Sequence, residues 1–455
     1  MILLIATPPV QSVPESTARA TLLAALLGFF VITLDAVVVN VALPTLSHEM
    51  DATITGLQWV VDGYTLAFAA LLLSTGALTD RLGAKRAFGW GVVIFVLASL
   101  ACGVAPDLGS LIVARFVQGA GAAVMMPSSM ALIRQAYADP ARQVHAVALW
   151  AMGGAVAATS GPVISGLLVN LNWRWIFLIN LPAGLATLWL LKRAQPSLTR
   201  FTPFDGWGQL TAMVAMGCLI YGAIDISNHP VQAMVSLIFA VVMFALFVVL
   251  QRRGGHPMVP PAVLQSRNSR ISMVVGFTFM MGYFGLPFVM SLYFQQERGL
   301  TPAATGLAFL PMMLIGLILT PFTSRLVQRF SARRLIITGL LCMAFGLLAI
   351  AGLPMSAPIW VVSAVMLLVG LAGPLIAPPV MAVLLSSVPG NLTGTASGVF
   401  NASRQVGGAL AVAVFGALLV QSSSFMNGLT ISMIIAAGIA VVTALFSLWL
   451  QSDKP

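Results

Sequence analysis

The sequence predicts an all-α polytopic membrane protein, and three observations lead to this fold class. Of the 455 residues, 59% are hydrophobic and only 7% are charged, whereas a soluble domain carries roughly 25% charged residues. The apolar residues form continuous runs of about 20 residues, which is the length of a helix that crosses the hydrocarbon core of a bilayer. The short alternating strands of an outer-membrane barrel are not the pattern of this chain.

We predict fourteen membrane-spanning helices. The seventh and eighth have the weakest signals, and without them twelve would remain. The predicted spans are residues 20–43, 57–78, 87–105, 109–131, 144–169, 174–191, 207–226, 231–250, 271–293, 304–323, 334–353, 358–380, 395–420 and 428–450.

The distribution of Lys and Arg predicts the orientation. If the N-terminus is cytoplasmic, 18 of the 22 basic residues fall in cytoplasmic segments. Only Arg174 and Arg298 fall outside, and Arg115 and Arg404 lie within spans. Positive residues concentrate in cytoplasmic loops, so both termini are expected in the cytoplasm.

The net charge of +10 is explained by these loops, and a nucleic-acid partner is not expected. Residues 1–14 lack the basic start and the cleavage site of a signal peptide.

The chain contains an internal repeat. The loop at residues 80–86 and the loop at residues 328–334 carry basic residues at the same three offsets. This favours two parallel six-helix halves around a central cavity, which is a transporter architecture. Short basic loops that look alike by chance are the alternative. The predicted organisation is a cytoplasmic N-terminal tail, an N-terminal six-helix bundle, a two-helix insert and a C-terminal six-helix bundle, at residues 1–19, 20–199, 200–255 and 256–455 respectively.

Three ionisable residues lie inside the first, second and fourth spans: Asp35, Asp62 and Arg115. Helix rise places them at similar depths, roughly 8–12 Å below the outer ends of their spans. A charge at the centre of a spanning helix costs about 3 kcal/mol and usually serves a proton, an ion or a charged substrate. A static ion pair of Arg115 with one carboxylate is the alternative. Asp62 is then the favoured partner, since one arginine does not neutralise two acids.

Polar residues form stripes on the second and fourth spans. Gln58, Trp59, Asp62 and Thr65 share one helical face, and Gln118 follows Arg115 by one turn. Polar stripes in a membrane helix point inward. A carboxylate in a medium of low dielectric constant has a raised pKa, so it can load a proton on one side of the membrane and release it on the other. A cationic substrate could compete for the same carboxylate, which is the minimal device for antiport.

Two further spans carry features that have two interpretations each. Pro162 and its neighbouring glycines in the fifth span permit a bend, as a rocking half requires, or form a plain packing face. Arg404 in the thirteenth span is either an inward-facing functional charge or a snorkelling one.

Histidine and cysteine residues lack the spacing of metal ligands, and no nucleophile motif of an enzyme is present. We therefore expect no metal, no cofactor and no enzymatic activity.

These motifs resemble those of a known family. Residues 34–44 resemble the first-helix motif of the fourteen-span drug:proton antiporters (DHA2-type) of the major facilitator superfamily. Residues 76–86 are similar to the loop signature between the second and third helices of that superfamily. The match extends to its fourth-helix motif, through Arg115, Gln118, Gly119 and Gly121, and to its fifth-helix antiporter motif, through Gly161, Pro162 and Gly166.

The resemblance implies roles for the matching residues. Asp35 and Asp62, with Arg115, would couple protons or bind substrate. A gating motif would comprise Gly76, Asp80, Arg81, Gly83, Lys85 and Arg86. Candidates for the cavity lining are Asn40, Gln58, Trp59, Thr65, Gln118 and Arg404. Some multidrug members carry further acids in the C-terminal half, but the last six spans here have none. This departure argues against export of divalent cations and against a high proton stoichiometry.

The expected function is a proton-coupled exporter of amphipathic or cationic organic compounds, which performs multidrug efflux by alternating access. It would work as a monomer in the bacterial cytoplasmic membrane, with the proton gradient as its energy source. The alternative is a dedicated exporter of one antibiotic or metabolite on the same scaffold.

Overall fold

The computed structural model describes residues 14–197, 199 and 203–451. All regular elements in this part of the chain are helical. The α-helices are α1 Glu15–Glu49, α2 Ile54–Leu82, α3 Ala84–Gly103, α4 Leu108–Ala136, α5 Pro140–Leu171, α6 Trp175–Leu178, α7 Asn180–Leu191, α8 Gly206–Asp225, α9 Pro230–Arg253, α10 Arg267–Leu292, α11 Pro302–Leu319, α12 Thr323–Phe330, α13 Ala332–Ala351, α14 Ile359–Gly370, α15 Ala372–Ser386, α16 Thr393–Gln421 and α17 Phe425–Ser447. Short 3₁₀ segments lie at Pro261–Leu264, Thr320–Phe322 and Gly390–Leu392, and a π-helical turn lies at Tyr293–Glu297.

Fourteen helical segments correspond to the fourteen predicted spans. Among the described residues, thirteen segments are long and apolar enough to cross a membrane. The predicted sixth span is the shorter segment Trp175–Leu191, which is broken into α6 and α7. The two weakest predictions, the seventh and eighth spans, are confirmed as α8 and α9. The multi-pass all-α fold class is therefore confirmed.

Several boundaries differ from the sequence prediction. Helix α1 already begins at Glu15, five residues before the predicted first span, whereas residues 1–13 of the predicted tail lie outside the described residues. The predicted tenth span continues through a 3₁₀ turn at Thr320–Phe322 into α12. Pro321 lies in that turn, and a proline cannot donate the backbone hydrogen bond of a continuous helix. Glu297, which lies between the predicted spans 271–293 and 304–323, is in the π-helical turn after α10.

The two six-helix halves meet along two pairs of helices, α2 with α16 and α5 with α11. Small residues allow the second pair to approach closely. A Cβ atom built on Gly166 would lie 2.5 Å from the carbonyl oxygen of Pro302, and one built on Gly306 would overlap the carbonyl oxygen of Pro162. We call the two ends of the bundle the Glu15 end and the Glu49 end, after the residues at which α1 begins and ends. These glycine contacts lie toward the Glu49 end.

The insert, α8 and α9, covers the face where α2 meets α16. Ile220 and Ile224 of α8 pack against Leu66 of α2 and Ala409 of α16. The side chain of Gln209 anchors α8 to α2, because its Nε2 donates a 2.7 Å hydrogen bond to the carbonyl oxygen of Ala70. Most large side chains of α9 are exposed, among them Val231, Val241 and Phe244. Helix α9 thus presents an apolar face to the lipid, with α8 beneath it.

The predicted repeat reappears in the backbone. Gly83 joins α2 to α3 with φ 78° and ψ 141°. Ser331, at the same offset in the second loop, joins α12 to α13 with φ 71° and ψ 150°. An L-residue rarely adopts a positive φ, and a non-glycine residue in this region is strained by about 1–3 kcal/mol. The same unusual turn in both loops supports a duplicated helix pair over a chance similarity.

Candidate functional site

A buried ion pair between Asp35 and Arg115 lies at the centre of the N-terminal half. Nη1 of Arg115 donates to Oδ2 of Asp35 at 2.5 Å, and the two side chains are 1% and 0% exposed. The other carboxylate oxygen, Oδ1, accepts 2.8 Å hydrogen bonds from Nε2 of Gln118 and from Nδ2 of Asn180. Charge-assisted bonds of this kind are stronger than neutral ones. Asp35 therefore has three side-chain donors.

Four helices supply the side chains of this network. Asp35 comes from α1, and Arg115 and Gln118 come from α4, one turn apart. Asn180 begins α7 directly after the break that separates it from α6, so this break places the amide next to Asp35. Ser99 of α3 accepts hydrogen bonds from Asn180 at 3.0 Å and from Gln118 at 3.1 Å. The network thus ties α1, α3, α4 and α7 together.

Helix α2 contributes the surroundings of the arginine. Nε of Arg115 donates to the carbonyl oxygen of Val60 at 3.1 Å. The guanidinium group lies over the ring of Tyr64, 4.4 Å from its centroid. A ring face stabilises a cation, more strongly where water is excluded. These contacts orient the arginine toward α1.

Asp62 does not pair with Arg115, so the favoured alternative of the sequence analysis is wrong about the partner. Asp62 lies two residues from both Val60 and Tyr64, and two residues turn a helix by about 200°. Its side chain therefore leaves α2 on the face opposite to the arginine. It shares that face with Gln58, one turn earlier, whose Nε2 donates to the carbonyl oxygens of Val412 and Ala413 of α16 at 3.0 and 2.6 Å.

The carboxylate of Asp62 is buried and only half satisfied. The side chain is 0% exposed. Its Oδ1 accepts a long hydrogen bond of 3.4 Å from the hydroxyl of Thr65. Its Oδ2 has no hydrogen-bond partner among the described residues. Burying an unpaired carboxylate is costly, so this oxygen is available for a proton or a cation.

The remaining cavity candidates lie in four different places. Gln58 bridges the two halves, as described above. Trp59 lies between α4 and the insert, because its ring centroid is 6.1 Å from that of Phe116 in α4 and 6.4 Å from that of Tyr221 in α8. Asn40 is buried within α1 and its Oδ1 lacks a partner in the described part of the chain. Arg404 lies in the C-terminal half, away from the Asp35 network.

The predicted gating motif contacts the segment that follows α7. The backbone N–H of Lys85 donates to the hydroxyl of Ser197 at 3.0 Å, and its ammonium group donates to the carbonyl oxygens of Lys192, at 3.2 Å, and Ala194. Arg81 lies over the ring of Phe204, 5.9 Å from its centroid. Asp80 and Arg86 are exposed, Gly76 has open space beside it, and Gly83 forms the turn described above.

The predicted antiporter motif of α5 forms packing contacts on two sides. A Cβ on Gly161 would lie 2.9 Å from Cγ1 of Val37 in α1. Gly166 packs against α11 of the other half. Helix α5 continues through Pro162 from Pro140 to Leu171. In this state the segment is a packing face between α1 and the C-terminal half.

Sequence reasoning missed Ser99 and Tyr64 and did not place Asn180 in the network. Each is a polar residue inside a span, and that position was the available signal. The sequence does not give the relative rotation of the helices, and this rotation decides whether an inward-facing polar group meets Asp35.

Comparison with known proteins identifies the family. The model of the Major Facilitator Superfamily matches residues 25–412 and 272–455. The chain belongs to the Major Facilitator Superfamily. Its relatives are proteins of antibiotic resistance and drug efflux, in agreement with the predicted family branch. The methylenomycin A resistance protein of Streptomyces coelicolor is 34% identical over 98% of this chain and 94% of its own length. The multidrug resistance protein Stp of Mycobacterium tuberculosis is 36% identical over 89% of this chain and 76% of its own length.

Solved structures with this superfamily fold superpose over nearly the whole chain. A POT family transporter in complex with a thioalcohol-conjugated peptide has a TM-score of 0.73 at 13% identity, covering 96% of this chain and 98% of that one. The xylose transporter XylE from E. coli, in a partially occluded inward-open conformation, has a TM-score of 0.66 at 17% identity, covering 97% of this chain and 99% of that one. The family and the fold are those of a transporter rather than an enzyme.

Proposed function

We propose that this protein is a proton-coupled exporter of amphipathic organic compounds, which works by alternating access in the bacterial cytoplasmic membrane with both termini in the cytoplasm. The observation that carries the proposal is the pair of buried carboxylates in one half. Asp35 is held by three donors, and Asp62 has an unpaired oxygen. The resistance and efflux proteins among its relatives support the direction of transport.

The two acids have different roles in this proposal. Asp62 takes up a proton or a substrate cation directly, because Oδ2 has no donor to displace. Asp35 takes up a proton only when its ion pair with Arg115 opens. Protonation would then prevent the pair from forming again and weaken the connection between α1 and α4. The cycle thereby links proton uptake to a change in helix packing.

Three contacts between the halves support closure at the Glu49 end, which is the periplasmic end in the proposed orientation. Gln58 of α2 bonds to α16, as described above. Nε2 of Gln295 donates to the carbonyl oxygen of Val41 at 2.9 Å. Gly166 of α5 packs against Pro302 of α11. All three must separate when the halves rock to open this end, so they form the gate of the proposed cycle.

Export of ethidium from cells or vesicles tests this function. With a pH gradient, vesicles that contain the protein should move ethidium faster than vesicles that contain the Asp62→Asn variant. The matched control is Asp225→Asn at the end of α8, where the acid contacts His229 and Tyr221 rather than the network. Export that survives complete collapse of the gradient would contradict proton coupling.

A dedicated exporter of one antibiotic or metabolite is the second candidate. It is favoured by the 34% identity to a methylenomycin A resistance protein over almost the entire chain. Growth of expressing cells against a panel of unrelated compounds separates the two. Protection against several chemical classes supports multidrug export, and protection against a single class supports the dedicated exporter.

A further inference from the structure

Arg404 in α16 is a cation for which the described structure offers no acidic partner. Its Nη1 donates to Oδ1 of Asn401, one turn earlier on the same helix, at a long 3.3 Å. Its Nη2 contacts the sulfur of Met280 at 3.5 Å, and a thioether is a weak acceptor. Its Nε is buried without any partner in the part of the chain that the structure describes. The guanidinium group thus retains most of its donor capacity.

No acid of the C-terminal half is close to this arginine. From residue 256 onward the sequence contains only Glu297 and Asp453 as acids. Arg404 lies beside Gly276 of α10, whereas Glu297 follows the far end of that helix, about 30 Å away at 1.5 Å per residue. Asp453 comes after α17 and outside the described residues. Within the described residues, no acid of its own half therefore neutralises this cation.

The nearest candidate across the interface, Asp62, lies at a different height. Helices α2 and α16 run antiparallel, with Gln58 level with Val412 and Ala413 and with Leu73 level with Gly398. This register places Asp62 level with about residue 409, five residues or about 8 Å from Arg404 along the helix axis. The ion pairs of the described residues do not include these two. Asp62 and Arg404, which form no ion pair among the described residues, thus lie at neighbouring levels of the two facing halves.

The surroundings of Arg404 suit an organic molecule with an acidic group. The rings of Phe279 and Phe400 lie 5.8 Å from the guanidinium carbon and provide an apolar wall. Arginine binds carboxylates with two parallel N–H donors, and Nε with Nη2 is such a pair of donors. A carboxylate there would satisfy Nε and replace the sulfur contact of Nη2. An apolar body would pack on the two rings.

We propose that Arg404 binds the carboxylate of an amphipathic organic substrate, so that the C-terminal half selects for compounds with an acidic group. This inference rests on the proposed export function and narrows its substrate class. A compound with both an amine and a carboxylate could use Asp62 and Arg404 together. Purely cationic compounds would gain nothing from the C-terminal half.

Binding of rhodamine B and of its ethyl ester to the purified full-length protein tests the proposal. The two dyes share one cationic ring system and differ in the carboxylate alone. Fluorescence anisotropy at pH 7, without any gradient, gives both affinities. Wild-type protein should prefer the acid, and Arg404→Gln should lower the ratio of acid to ester affinity tenfold or more. Arg404→Lys should retain part of the preference, since lysine keeps the charge but not the bidentate geometry.

The matched control is Arg253→Gln, an exposed arginine at the end of α9, which should leave the ratio unchanged. Equal wild-type affinities for both dyes, or an equal loss of both in Arg404→Gln, would overturn the proposal. If Asp62→Asn removed the same preference and the double variant lost no more of it, Arg404 would act by pairing with Asp62 and not by binding the carboxylate. That result would also overturn the proposal. If vesicles with wild-type protein did not export ethidium along a pH gradient, the proposed function would be contradicted, whereas this binding result would still stand.

Discussion

Asp35 and Arg115 are joined by a fully buried ion pair that links α1 to α4, while Asp62, one helix away, points to the opposite side of α2. The N-terminal half therefore contains one neutralised acid and one acid with a free oxygen at similar depth. A substitution of Asp35 removes a buried ion pair, whereas a substitution of Asp62 removes a carboxylate oxygen that has no partner among the described residues. This difference leads to the first two predictions.

We expect replacement of either member of the ion pair alone to be strongly destabilising. Arg115→Leu leaves Asp35 as an uncompensated buried charge, and removing one partner of a buried pair typically costs about 3–5 kcal/mol. The double variant Asp35→Asn with Arg115→Leu buries no unpaired charge and should recover much of the loss. Thermal unfolding in detergent, measured for both single variants and the double variant, checks this. A double variant less stable than both single variants would contradict it.

For Asp62 we expect loss of coupled export with little loss of stability. Asp62→Asn removes the site for a proton, but its Oδ2 has no hydrogen bond to lose. The melting temperature should therefore change by only a few degrees, since about 1 kcal/mol shifts it by 2–4 °C in larger domains. Gradient-driven dye export should fall to the background of empty vesicles. Unchanged export by a folded variant would remove Asp62 from the mechanism.

The turns at Gly83 and Ser331 should respond to substitution in opposite directions. Gly83→Ala places a side chain at φ 78°, with its Cβ 3.0 Å from the carbonyl oxygen of Ser197, and should destabilise by about 1–3 kcal/mol. Ser331→Gly removes strain at φ 71° but adds freedom to the unfolded chain, for a net gain of up to about 1 kcal/mol. Melting temperatures of both variants test this, and a loss in both would disprove strain at Ser331.

A larger residue at Gly166 should push the halves apart at the Glu49 end. Its Cβ would lie 2.5 Å from the backbone of Pro302, and backbone atoms of a packed helix yield little. In a background without the native cysteines, a Gln58→Cys probe should react faster with a membrane-impermeant thiol reagent when Gly166→Val is present.

The control for this experiment is Gly438→Val, because Gly438 has open space around it. Equal labelling rates in the Gly166 and Gly438 variants would show that this contact does not hold the Glu49 end closed.

Much of the fold could be predicted from the sequence because membrane insertion depends on local composition. A run of about 20 apolar residues must form a helix in a bilayer, whatever its neighbours are. The spans α8 and α9 were therefore predictable despite weak signals. The loops at 80–86 and 328–334 were similarly informative, since their shared offsets predicted an internal repeat, and Gly83 and Ser331 adopt the same turn in the two loops.

The chain by itself determined which residues are buried and charged: Asp35, Asp62, Arg115 and Arg404 are evident as ionisable groups inside apolar runs. Only the tertiary structure decided which of them meet. Pairing depends on the rotation of each helix about its axis and on the break before Asn180, and both are set by packing between segments distant in sequence. Two residues along α2 separate the face that holds Arg115 from the face of Asp62. Hydropathy does not encode how α2 is rotated relative to its neighbours, and that rotation decides which face meets Arg115.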